Sequence, residues 1–315
     1  MDVLRLTLRQ LQIFVAVARS GSTTAASTEI SLSQSATSSA VNELERLLSL
    51  RLFDRSGKRL LLNDNGRTLL PRARALLDEA ANIERMSRDG SAQAQSLRIG
   101  ASTTIGNYVL PKLLKQFLLE RIQENTSGWK SKVTIANTEA ICDAVAEFEL
   151  DVGLIEGPCH QSALSVTPWL QDELVVVTGL RSPAVPNIEN ENGAAKVALK
   201  TLRKMMWLLR EPGSGTRDTT DQLLLPHLRF YQRSIELGSS EAIKSAVAEG
   251  LGVACLSTWV VNDWLESGRL CRLQTTVPKM TRQCYLVVHR DKQLTPALRD
   301  FIKQATESDA SRICP

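Results

Sequence analysis

Apolar positions along this chain change period twice, and those changes divide it. Residues 8–19 place Leu8, Leu11, Phe14, Val15 and Ala18 at steps of three and four, which predicts an amphipathic helix. Gly21 suits the end of that helix, and Ser22 suits the N-cap of the next. Ser33 is the natural cap of a third helix of about 14 residues. Its inner face is predicted as Ala36, Ala40, Val41, Leu44 and Leu48, and its outer N-terminal face as Gln34, Ser35, Ser38 and Ser39. Short apolar runs then flank Ser56 and Gly57, which predicts a hairpin bearing Arg55, Lys58 and Arg59. From Asn63 to Arg88 a long helix is predicted, with Leu69, Ala73, Leu76, Ala80 and Ile83 on a coiled-coil-like seam. Polar residues 89–95 read as a hinge.

Beyond the hinge, short apolar runs alternate with helical patterns. Strands are predicted at 97–100, 132–135, 151–155, 172–178, 207–209, 234–237, 252–257 and 283–289. Helices are predicted at 138–148, 195–204, 216–224, 240–249 and 295–306, with another ending near Arg121. This alternation argues for parallel α/β sheets. Two such runs joined by crossover strands predict two lobes, one at about 91–165 and 270–315 and the other at about 166–269. Residues 1–62 form the helical module with its wing, and 63–90 the linker helix.

Two short helices joined by a polar turn, the second faced with Gln34, Ser35, Ser38 and Ser39, suit a DNA major groove. With Thr23 and Ser33 beside them, and Arg55, Lys58 and Arg59 for phosphates or a minor groove, they are the candidate DNA-reading set. The hairpin alternatively reads as a solvated basic loop. Charge adds modest weight. Residues 1–72 hold ten Lys/Arg against six Asp/Glu, which accounts for the whole net charge of +4. No run is long and apolar enough for a membrane span, and the N-terminus lacks a signal-peptide core, so a cytoplasmic protein is expected. The six cysteines include no paired C-x-x-C motif, and the three histidines fall in no metal or nucleophile motif. Neither an enzyme nor a bound metal or cofactor is therefore expected.

In the C-terminal region, residues 101–106 and 210–217 are hydroxyl- and glycine-rich turns, each between a strand and a helix. Helix N-termini at the carboxyl ends of strands attract anions. Ser102, Thr103, Thr104, Asn137, Glu156, Ser214, Gly215 and Thr216 are the candidate ligand set, although both turns also serve as ordinary helix caps. Residues 238–241 form a third helix-opening turn. Cys159 and His160 read as a loop pair without chemical meaning or, less simply, as a redox or ligand pair.

The whole chain resembles the LysR-type transcriptional regulators. The resemblance is carried by Leu11 to Phe14, Ala25 and Ala26, Ser33 to Ser38, Leu44 and Glu45, Leu52 to Arg55, and Asn65 and Gly66. Ser35, Ser39 and Asn63 depart from the family's usual proline, basic residue and threonine, and the first two would alter which bases or phosphates are touched, so its half-site preference does not transfer. The resemblance implies an N-terminal winged helix-turn-helix, a linker helix and a two-lobed, periplasmic-binding-protein-like α/β effector domain. It implies a homodimer or homotetramer on double-stranded promoter DNA, with RNA polymerase as a further partner. It also implies a small effector between the lobes, contacting Ser102, Thr104, Glu156 and the turn 214–216. Segments 153–157, 169–175, 210–217 and 237–243 look most like the branch of CbbR-, CysB- and YeiE-like regulators, the YeiE-like group above all. For that branch the resemblance implies a small anion such as sulfite, sulfate or a phosphorylated metabolite. A two-lobed solute-binding protein without gene regulation is the alternative, but it predicts an export signal where the first 90 residues stand.

Overall fold

The structure is a computed structural model that describes residues 5–57, 59–88, 97–123, 131–180, 194–308 and 314. The chain divides into two compact units, residues 1–93 with 291–293, and residues 94–290 with 294–315.

In the first unit, α1 (Leu8–Ser20) starts at a capping box. Thr7 accepts the Gln10 N–H, and Gln10 reaches back to the Thr7 N–H. The helix ends at Gly21, whose φ of 63° is the left-handed conformation that glycine adopts without penalty. Its buried line is Leu11, Phe14 and Val17 with Ile13 and Ala16, whereas Leu8 is exposed and Val15 and Ala18 are half-buried. The predicted stripe was too narrow and rotated, because α1 packs against three other helices. α2 (Thr23–Glu29) is capped by Ser22, and α3 (Gln34–Leu48) by Ser33. On α3 the structure corrects the predicted inner face. Ala36 is exposed and Thr37 is buried, since the Thr37 hydroxyl donates to the Ser33 carbonyl at 3.0 Å and carries no unpaired polar group inside.

β1 (Phe53–Ser56) and β2 (Arg59–Leu62) pair antiparallel around a two-residue turn at Gly57, φ +60°. Lys58 lies outside the described residues. α4 (Asp64–Arg88) begins where Asn63 accepts the Gly66 N–H at 3.0 Å. A Cβ on Gly66 would lie 2.2 Å from the Leu52 carbonyl oxygen, so only glycine permits this helix to meet the hairpin so closely. Leu69 and Ala73 join the core of the unit, whereas Leu76 and Ile83 are 52% and 59% exposed.

The second unit is built on one continuous sheet with two lobes. β3 (Arg98–Ser102) lies parallel to β4 (Lys132–Ala136) and β5 (Val152–Glu156). α5 (Thr103–Tyr108), α6 (Leu110–Gln123) and α7 (Thr138–Ala146) cover this lobe, with α5 and α6 broken at Val109. β6 (Leu164–Gly179) is a 16-residue crossing strand. In the second lobe, β8 (Met206–Leu209) lies parallel to β9 (Arg233–Glu236) and β10 (Val253–Ser257). α8 (Leu199–Lys204), α9 (Gly215–Leu228), α10 (Ser240–Ala248) and α11 (Thr258–Glu266) pack here. β12 (Met280–His289) crosses back, antiparallel to both β6 and β5, before α12 (Pro296–Glu307).

Three elements differ from the sequence reading. Residues 195 and 196, which open the predicted helix 195–204, instead belong to β7 (Ala194–Lys196), parallel to β11 (Leu270–Gln274). β11 pairs with the far end of β6, so the chain returns to the first lobe along β12 and not at residue 270. α11 was not foreseen. Apolar layers on both faces, Trp207, Leu224 and Val176 on one side and Val175, Ile243 and Ala254 on the other, explain why run 174–178 shows no alternation.

Candidate functional site

The DNA-reading set lies on the first unit. Gln34, in the first turn of α3, donates to the Thr23 hydroxyl at the start of α2, 3.2 Å away. Thr23, Gln34, Ser38, Arg55 and Arg59 line one groove of about 870 Å³ between the helices and the hairpin. Ser22, Thr24, Asn42 and Arg51 line it too, and were not among the predicted DNA-reading residues. Asn42 lies two turns beyond Gln34, and that spacing was the available signal. Ser33 serves as the α3 cap and contacts the Ser35 hydroxyl at 3.0 Å. Ser35 and Ser39 are exposed on α3 outside the groove lining. Glu45 is structural, because its carboxylate accepts the N–H groups of Leu52 and Phe53 and fixes the entry to the hairpin.

The effector set lies where the lobes of the second unit meet, and it is built quite differently. Ser102 ends β3 and donates to the Glu156 carboxylate at the end of β5, which also accepts the Thr104 N–H at 3.2 Å. The opening of α5 is thus already faced by the Glu156 carboxyl group. Thr138 donates to the Glu156 carbonyl at 2.9 Å and accepts the Gly215 N–H at 3.2 Å, joining the lobes. A Cβ on Gly215 would lie 1.7 Å from that same carbonyl oxygen, so this contact requires glycine. Ser214 precedes it and is buried.

Four charged residues outside the predicted site set organise the cleft. Arg282, on β12, donates to Asp172 at 2.7 Å and to the Thr216 hydroxyl at 2.9 Å, and lies 4.0 Å from Glu156. Burial pushes the Asp172 carboxyl above its ordinary range, against the opposing pull of Arg282 and the Ser257 hydroxyl. Arg210, at the end of β8, is only 3% exposed and spans the lobes, donating to Ser240 of α10 at 2.9 Å and toward Thr103 of α5 at 3.4 Å. It also pairs bidentately with Glu211 at 2.8 Å. Burial pushes the Glu211 carboxyl up, but hydrogen bonds from Arg210 and Asn137 outweigh it and hold it below its ordinary range. Asn137 also caps α7. The Thr104 hydroxyl is buried and makes no hydrogen bond among the described residues. A cavity against Arg210 and Thr216 measures about 10 Å³, close to one water. Arg282 and Asp172 stand on strands with no turn or glycine to mark them, whereas Ser240 lay in the third helix-opening turn.

Over residues 8–67 the chain matches the bacterial regulatory helix-turn-helix protein, lysR family, and over residues 90–310 the LysR substrate binding domain. The chain belongs to the LysR family of DNA-binding transcriptional regulators. It is 42% identical over 309 residues to the uncharacterized HTH-type transcriptional regulator YeiE of Escherichia coli K12, covering 98% of this chain and 100% of that protein. It is 32% identical over 305 residues to the HTH-type transcriptional regulator CbbR of Rhodospirillum rubrum, covering 96% and 97% of the two chains. Full-length CbnR, solved in complex with its target DNA, has the same fold at a TM-score of 0.56 and 19% identity, over 95% of this chain and 99% of that one. Like these LysR-family relatives, the chain is a regulator and not an enzyme. Its C-terminal region is an effector-binding domain. Among the described residues no helix is long and apolar enough to cross a membrane.

Proposed function

We propose that this LysR-family regulator binds promoter DNA in the cytoplasm as a homodimer or homotetramer, and that a small anion between the effector lobes sets its transcriptional response. Sulfite and sulfate are the preferred anions, and a phosphorylated metabolite the next. The observation that carries the effector half is Arg210, a buried guanidinium extended across the cleft between hydroxyls of both lobes. Guanidinium and hydroxyl donors suit the several acceptor oxygens of an oxyanion. Ser102, Thr103, Thr104, Ser214, Gly215 and Thr216 surround the same cleft, while Glu156 and Glu211 occupy its donors until an anion competes, and Asn137 donates to Glu211. Sulfite and sulfate follow from the likeness to the YeiE branch.

For the DNA half, the groove lined by Gln34, Ser38, Arg55 and Arg59 supports base reading from α3 and phosphate contact from the hairpin, with Ser33, Ser35, Ser39, Thr23 and Lys58 around it. Exposed Leu76 and Ile83 on α4 offer a seam to a second chain. RNA polymerase is the further partner of the promoter-bound oligomer.

Thermal melting of the full-length protein against sulfite, sulfate, thiosulfate, phosphate and phosphorylated sugars tests the effector reading. A cognate anion at about 100 times its Kd stabilises by about 2.7 kcal/mol. Stabilisation only by a neutral or aromatic compound would sink the anion reading and leave the DNA reading intact.

A further inference from the structure

α5 is a short rod of the first lobe, and both of its ends reach the effector cleft or the second lobe. At its start Thr103 accepts from Arg210, and Thr104 donates its N–H to Glu156. At its end stands Tyr108, four residues beyond Thr104 and so on the same face of the helix. The helix breaks at Val109 directly afterwards. Tyr108 packs against the apolar cluster of the first lobe, which holds Ile105 and Leu113, and against that of the second, which holds Ile243 and Val260. Its hydroxyl donates to the Glu241 carboxylate in the first turn of α10 and accepts from the Lys244 ammonium, 3.3 Å away.

Lys244 shows that this contact is more than a surface pair. Its side chain is only 5% exposed, with the ammonium 3.1 Å from Glu241 and 3.7 Å from Asp263 of α11. The same ammonium lies 4.8 Å from the centre of the Trp264 ring and 5.8 Å from that of Tyr108. Lysine is rarely so buried without partners, and an ordinary i,i+3 pair on a helix surface leaves its ammonium in water. Here α5, α10 and α11 converge on one cation. The contacts also form a ring. Arg210 donates to Ser240, the first residue of α10. α10 carries Lys244 and Glu241 to Tyr108, and α5 leads back to Thr103 and Arg210.

We propose that Tyr108 and Lys244 are positioning residues for the effector cleft, holding α5 against α10 so that the hydroxyls of Thr103 and Thr104 stand in line with Arg210. This rests on the reading of that cleft as the anion site. Neither residue touches the anion. Without the latch, α5 is free to shift on the second lobe, and only part of the population presents donors from both lobes together. Apparent affinity falls in proportion to that fraction.

The test uses full-length protein and two readouts, hydrogen exchange of the peptide spanning α5 without ligand, and calorimetric titration with sulfite, sulfate and phosphate. Tyr108→Phe removes the hydroxyl and keeps the ring. Lys244→Met removes the cation and keeps an apolar stem. Both should speed exchange in α5 and raise the Kd of the anion that binds the wild type about tenfold, as follows if the aligned fraction drops to about a tenth. Tyr231→Phe is the comparison, because its hydroxyl donates to Asp221 at 2.8 Å within the second lobe. It should lower Tm without either change. Unchanged α5 exchange in Tyr108→Phe, an unchanged Kd in that variant, or an equal rise in Kd in Tyr231→Phe would each overturn the proposal. If the wild type binds none of the three anions, the anion reading falls, and α5 exchange alone decides whether the latch holds the helix.

Discussion

The two functional regions of this molecule hold their polar side chains in opposite ways. In the candidate DNA-reading set, Gln34, Ser35, Ser39, Arg55 and Arg59 are exposed, and Gln34 leans only on a neighbouring threonine. In the effector cleft, Ser102, Thr104, Glu156, Ser214, Thr216, Arg210 and Arg282 are all buried, and most are bonded to one another. Affinity for a large polyanion comes from exposed donors that meet phosphates directly, and counterions make that affinity salt-dependent. Recognition of a small ligand needs donors withdrawn from water, and these must satisfy each other when no ligand is there. Under the proposed function, the first region is therefore a surface whose mutations should alter binding at little cost in stability. Under the same proposal, the second is a polar core whose mutations should alter stability and response together.

The largest separation between the regions is expected at Arg282. Arg282→Met strands Asp172 and Glu156 without their buried cation, which should cost about 3–5 kcal/mol in urea denaturation of the effector region. A loss below about 1 kcal/mol would show that the cluster is not an ion-paired core. On the DNA side, Gln34→Ala should leave stability within about 0.5 kcal/mol and weaken binding by about 1–3 kcal/mol at one base position. Equal weakening on every sequence would make Gln34 a phosphate contact instead. Smaller still, Arg55→Ala should weaken all sequences alike and reduce the salt slope of binding by about 0.9. An unchanged slope would remove Arg55 from the interface.

The smallest effect is in pH dependence. Because the folded Asp172 carboxyl sits above its ordinary value of 3.8, the native state holds its proton longer than the unfolded state does. Its contribution to stability is complete below that ordinary value and is lost as pH rises through the folded value. Asp172→Asn should flatten the fall of stability over that window. A fall as steep in the variant as in the wild type would assign the slope to another group.

Much of this contrast was legible in the chain. Helix caps at Ser22 and Ser33, the hairpin at Gly57 and the turns at 101–106 and 210–217 announce themselves because caps and turns need particular residue types. Elements defined by partners were harder to see. β7 and β11 are short and exist through pairing with each other and with β6. Thr37 looks like an outward polar residue, and its burial depends on a hydrogen bond back to Ser33. Arg282 was invisible as a site residue because a single charge within a strand has no periodic signature, and Arg210 opened the predicted turn 210–217 without being one of the hydroxyls and glycines that marked it. Only the fold shows which carboxylates and hydroxyls face them.

Thr104 gives the most direct test of the effector cleft. Its hydroxyl is buried and makes no hydrogen bond among the described residues, so Thr104→Val removes an unsatisfied group at nearly constant shape. Melting of wild type and Thr104→Val should be compared with and without the anion that stabilises the wild type most. The account predicts a ligand-free variant at least as stable as the wild type, with the anion-induced rise in Tm lost and promoter binding retained. An undiminished rise in the variant would contradict the placement of the effector in this cleft.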